Sequence, residues 1–122
     1  MAPDKKAIVQ LVELHKTVFR KKFHIYIQEQ FQVFVEFCKL ADKLWERGRR
    51  HYSSRTIGEK IRFDSDVSEV GSTFKLNDHS TPDLGRLYVL LHPERLDLFS
   101  YRRGHFRLYV VELLEEQRSI KE

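Results

Sequence analysis

From Gly48 to Asp64 the chain reads GRRHYSSRTIGEKIRFD, a run rich in guanidinium and ammonium groups and poor in anything that could break a bond. Residues 46–62 hold Arg47, Arg49, Arg50, Arg55, Lys60 and Arg62 against Glu46 and Glu59. The local excess of +4 equals the net charge of the whole chain, so the remaining residues balance near zero. Cations clustered in this way are the usual footprint of a surface that holds phosphate oxygens. Ser53 or Ser54 is a suitable N-cap for a helix over about residues 54–64. A helix start there would add unpaired amide donors and a partial positive charge. Tyr52 could stack on a sugar or donate its hydroxyl. The same residues also fit an ordinary solvated helix face, since Arg55 and Glu59 form an i,i+4 pair that supports a helix by itself.

Two further stretches could extend such a surface. In FKLNDHSTPDLGR a second capped helix follows the first, an order compatible with a helix-turn-helix or winged-helix variant. Asn77, Thr81 and Arg86 would then be candidates for base contacts, with His79 and Ser80 beside them. Against this, the connection is longer than a three- or four-residue turn, and Asp78 and Asp83 would repel phosphate. A packed structural helix is the preferred reading of the stretch. In YRRGHFR, Arg102 and Arg103, with Arg107, could carry the positive surface onward. Tyr101 or Phe106 could stack on an exposed base, although core packing is the simpler use of both rings. Lys21 and Lys22, like these arginines, could extend the positive surface or simply be solvated.

The residues that would carry catalysis do not assemble into a pattern. The six histidines, His15, His24, His51, His79, His92 and His105, are scattered and lack metal-ligand spacing. Asp64, Asp66 and Glu69 lack the glycine register of a calcium loop. Cys38 lies on an apolar stripe, as a small buried hydrophobe would. There is no GxSxG, P-loop or GxGxxG string. The expectation is a protein that is not an enzyme and needs no cofactor or metal.

The positioning elements follow from length and periodicity. With 122 residues, 41% hydrophobic and 33% charged, the chain suits one domain with a real core. A lone cysteine and no apolar leader point to a reducing, cytoplasmic setting, and no apolar run is long enough for a membrane span. A loose helical period covers residues 4–20, broken near Lys22 to Ile25. Residues 28–48 form the clearest amphipathic helix, with Phe31, Phe34, Val35, Cys38, Ala41, Leu44 and Trp45 on one side and Gly48 as its stop. Helices over 54–64 and 82–91 come next, with a short β element allowed over residues 70–77. ERLDLFSY adds another turn or two. FRLYVVEL reads as helix or strand, and helix is assigned because the segment runs on into Leu-Glu-Glu-Gln-Arg. The predicted fold is mainly α, a single domain of four or five helices.

The aromatic-rich helix ending in GRRHYSSRTIGEKIRF, then FKLND, then an arginine-bearing helix closing in LLHP, then LFSYRR, resembles a group of small proteins carried by phages and prophages. The resemblance covers about Phe31 to Arg103. It implies a bacterial or phage cytosol and transfers no activity or site. The function expected from the residues is non-catalytic binding of nucleic acid, duplex DNA in the first place. The alternative is a protein-interaction module, an inhibitor or adaptor, or a chain that pairs with its own copy through surplus aromatics. The burial of Phe31, Phe34, Phe37 and Trp45 separates the two.

Overall fold

Asp4 accepts a hydrogen bond from the Ala7 amide and so opens α1, Lys5–Leu14, whose Ile8 and Val12 are buried one turn apart. A single 3₁₀ turn, Lys16–Val18, follows. The computed structural model describes residues 3–67, 80–101 and 104–121. Over these residues the chain continues as α2 (Phe23–Glu29), α3 (Phe31–Glu46), α4 (Ser54–Asp66) and α5 (Ser80–Leu91), then a 3₁₀ segment, Pro93–Leu98, and α6 (His105–Lys121).

The predicted helix over 28–48 is two helices. Gln30 adopts φ −119° and ψ 38°, which ends α2 and starts α3. No glycine or proline lies between Phe23 and Glu46 to announce that bend. Tertiary packing makes it: α2 lies against both α1 and α3, with Phe23 and Ile27 inward. The extra helix raises the count to six α-helices among the described residues, above the four or five expected. The β element over 70–77 falls outside the described residues.

α3 ends as its sequence requires. Gly48 takes φ 79°, the Gly48 amide donates to the Trp45 carbonyl, and the Arg49 amide donates to that of Leu44. This paired closure of the last carbonyls needs a residue that tolerates a left-handed backbone, which is the use of glycine here.

α5 is the central helix. Of its twelve residues, nine are buried, Ser80, Thr81 and Asp83 among them. It packs against α3, α4 and the Pro93–Leu98 segment. Tyr88 meets Phe37 and Phe99 at ring-centroid distances of 6.4 Å and 6.0 Å, and Phe37 meets Phe99 at 5.8 Å. Such a triangle of rings adds directional contacts to plain area burial. A helix enclosed this way cannot lie in a DNA groove, so the helix-turn-helix reading of residues 81–92 is corrected.

α6 settles the remaining ambiguity as a helix. Phe106 and Val110 are buried at i,i+4, and the Tyr109 hydroxyl lies 2.6 Å from His15 Nδ1 at the end of α1. One core cluster draws residues from all six helices.

Candidate nucleic-acid interface

The basic stretch begins in the connection between α3 and α4, and that connection is held at both ends. Behind it stands the glycine closure of α3. Ahead of it the His51 amide donates to the Asp97 carbonyl, the Tyr52 amide to that of Leu98, and the Ser100 amide to that of Tyr52. Tyr52 and Phe99 thereby form a single parallel bridge. The Ser100 hydroxyl donates to the His51 carbonyl at 2.8 Å. His51 itself takes φ 58°, a left-handed conformation that costs a non-glycine residue energy and that these bonds enforce.

Arg47, Arg49 and Arg50 are all exposed. The Arg50 guanidinium lies 3.6 Å from the centroid of the Trp45 ring and donates to the Arg49 carbonyl at 2.7 Å. Arg95 approaches the same ring at 5.6 Å and is fixed by Asp42 at 2.7 Å, while the Tyr88 hydroxyl donates to the same carboxylate at 2.6 Å. Trp45 is therefore half-covered by guanidinium groups whose positions are set. Arg47 and Arg49 have no side-chain partner among the described residues.

On α4 the cations are balanced. Arg55 Nε lies 3.4 Å from the Glu59 carboxylate, and Lys60 Nζ lies 2.7 Å from that of Asp64. Exposed i,i+4 pairs of this kind are worth about 0.2–1 kcal/mol and exchange readily for another anion. Arg62 is exposed on the same helix. Ser53 has the extended backbone of an N-cap but its side chain makes no capping bond. Ser54 is half-buried against Gly85, where a Cβ would sit 3.1 Å from its own Cβ. The uncompensated charge is thus concentrated on residues 47–50.

The second predicted place does not join this surface. Thr81 is 3% exposed, which closes it to a base edge. The Arg86 guanidinium is engaged by Asp83 at 3.1 Å. Asp83 also accepts from the backbone amide of Arg20, and burial raises its carboxyl above the ordinary carboxylate value. Asn77, Arg102 and Arg103 lie outside the described residues. Arg107 is described, and its guanidinium is held by Asp97 at 2.7 Å.

Next to the pinned connection lies a cleft of about 280 Å³ lined by His51, Phe99, Ser100, Tyr101, Gly104 and Arg107. Nothing in the sequence spacing brings His51 to Ser100, because they meet only through the 52–99 bridge. Cys38 is buried, and burial together with Asp42 pushes its thiol up to about 12, leaving no thiolate for nucleophilic chemistry. Among the described residues no three His, Cys, Asp or Glu side chains gather in a group that could hold a metal ion. Among them, too, no helix is long and apolar enough to cross a membrane. Compared with known proteins, the chain matches no family model, no curated protein and no solved structure.

Proposed function

We propose that this chain binds nucleic acid, duplex DNA as the first case, through the phosphate backbone and without catalysing a reaction on it. The observation that carries the reading is the α3–α4 connection. It offers Arg47, Arg49 and Arg50 with no carboxylate among them, on a backbone tied down on both sides. A backbone already ordered needs no further ordering on contact with phosphate, and exposed arginines on it contribute affinity independent of sequence. Phe34 and Phe37 are fully buried, Phe31 is half-buried, and Trp45 is half-buried beneath Arg50. The aromatic residues are thereby largely used within one chain, which favours this reading over a partner-binding aromatic face. The resemblance to phage- and prophage-borne proteins sets the proposal in a bacterial or phage cytosol.

A second reading rests on one observation. Phe63 and Val67, at the end of α4, are each 62% exposed and could meet a protein partner, as an inhibitor or adaptor would.

Fluorescence anisotropy on a labelled mixed-sequence duplex, titrated at low and moderate salt, tests the first reading. The expected result is binding that weakens steeply as salt rises and that is much weaker in Arg47→Glu/Arg49→Glu. Failure of the wild type to bind at low salt overturns the proposal and leaves capture of a protein partner through Phe63 as the reading to pursue.

A further inference from the structure

A second concentration of positive charge lies between the end of α1 and the start of α2. Lys16, Arg20 and Lys21 line a cleft of about 350 Å³ there, with Val12 and Phe19 as its apolar wall. That volume falls within the range of small-molecule sites, about 300–1,000 Å³. The 3₁₀ turn over Lys16–Val18 folds the chain between Lys16 and Arg20, so the three cations border a single cavity. Lys16 and Lys21 have no side-chain partner among the described residues. The carboxylate on the same rim, Glu13, is engaged by His24 Nε2 at 3.4 Å. The three cations outnumber the single carboxylate on the rim, an excess that a bound anion would offset.

Two features make the cleft a built one. The buried Asp83 carboxylate takes the Arg20 backbone amide and so anchors the rim to the central helix. The Phe19 ring, one of the lining residues, stacks on Phe23 at 5.1 Å with planes 21° apart, which holds it in place.

We propose that this cleft binds a free phosphate ester of mononucleotide size, its phosphate on Lys16, Arg20 and Lys21 and its flat body against Phe19. A phosphomonoester, carrying close to two negative charges near neutrality, matches three cations better than a carboxylate does. A planar base gains dispersion and ring contact from Phe19 that a bare ion does not. The site shares no residue with the 47–62 surface, so it stands or falls separately from the duplex reading.

Amide chemical-shift mapping with adenosine monophosphate, inorganic phosphate and adenosine as separate probes tests it. The expected result is movement of amides within residues 12–24. Adenosine monophosphate should saturate at a concentration at least about tenfold below either fragment. Lys16→Glu/Lys21→Glu, two exposed and unpaired positions, should keep the helical circular dichroism and lose about tenfold or more in affinity. Arg47→Glu/Arg49→Glu should leave it unchanged. Equal affinity for phosphate and the nucleotide overturns the proposal, as does movement centred on Arg47–Arg50 or an unaltered affinity in the lysine variant. A 5′-phosphorylated tetranucleotide binding about tenfold tighter than the mononucleotide also overturns it and assigns the cleft to the path of a strand.

Discussion

Asp83 lies in the first turn of α5, where free amides favour a carboxylate, yet at 1% exposure burial penalises its charge. Burial is the larger effect, with Arg86 and the Arg20 amide opposing it, so the folded-state carboxyl holds its proton above the ordinary value of 3.8. Between 3.8 and that raised value the folded chain binds more protons than the unfolded one. Asp83's contribution to stability is therefore fully present below 3.8 and is lost as pH rises through the folded-state value. Thermal melts of wild type and Asp83→Asn from about pH 7 down to about pH 4 should show their difference shifting in favour of the wild type as pH falls. A constant difference would mean that Asp83 stays ionised throughout. Cys38 offers a second test at this scale. Its thiol, pushed up to about 12 and covered by the core, should not react with a disulfide reagent in the native protein and should react fully in denaturant. Rapid native labelling would place Cys38 at a surface the fold does not give it. Its inertness was legible in the sequence from its place on the apolar stripe of residues 28–48. The burial of Asp83 was not, because a carboxylate in a first helical turn looks like a solvent-facing charge until the Arg20 amide is brought to it.

The crossing of α4 and α5 depends on closeness at a single point. A Cβ on Gly85 would lie 3.1 Å from Ser54 Cβ and 3.7 Å from Phe99 Cδ2. Gly85→Ala therefore sets a helix-propensity gain of about 1 kcal/mol against a shift of a few tenths of an ångström, and the two nearly cancel. Gly85→Leu has no space and should destabilise by about 1–3 kcal/mol or more. Urea denaturation should then show a lower midpoint at an unchanged slope for the leucine variant. A leucine variant as stable as wild type would mean that the two helices can separate without loss. At this scale the sequence was most informative where a face or a stop is written locally. The stripe of α3, Gly48 at its end and the start of α4 at Ser54 could all be read directly. The break at Gln30 could not, since it comes from α2 packing on α1 and α3 rather than from a breaker residue. FRLYVVEL was ambiguous because its aromatic and β-branched residues suit a strand, while the buried pair Phe106 and Val110 fits only a helix. The full burial of α5 was not legible for a related reason: Leu84, Leu87 and Leu91 show a one-sided period, and the second buried side is made of Gly85, Val89 and small polar residues.

Across the molecule, composition fixed how much charge the basic stretch carries but not which cations keep it. Asp64, the partner of Lys60, lies just beyond the window in which the excess was counted, and Arg55 faces Glu59. Pairing on α4 leaves the α3–α4 connection as the strongest part of the field, a distribution visible only once side chains are placed. The contrast is measurable. An α4 cation must exchange an existing ion pair for phosphate, whereas Arg47 and Arg49 give up only water. Each phosphate contact contributes a slope of about −0.9 to the logarithmic dependence of affinity on salt. Arg47→Glu/Arg49→Glu should therefore reduce that slope by about 1.8 as well as weaken binding at every salt concentration. Arg55→Glu, which also leaves Glu59 unpaired, should weaken binding through added negative charge yet change the slope by less than half as much. Anisotropy titrations of the three proteins over a salt series decide the matter. A larger slope change in Arg55→Glu would move the phosphate contacts onto α4 and make the pinned connection a structural closure rather than the binding edge.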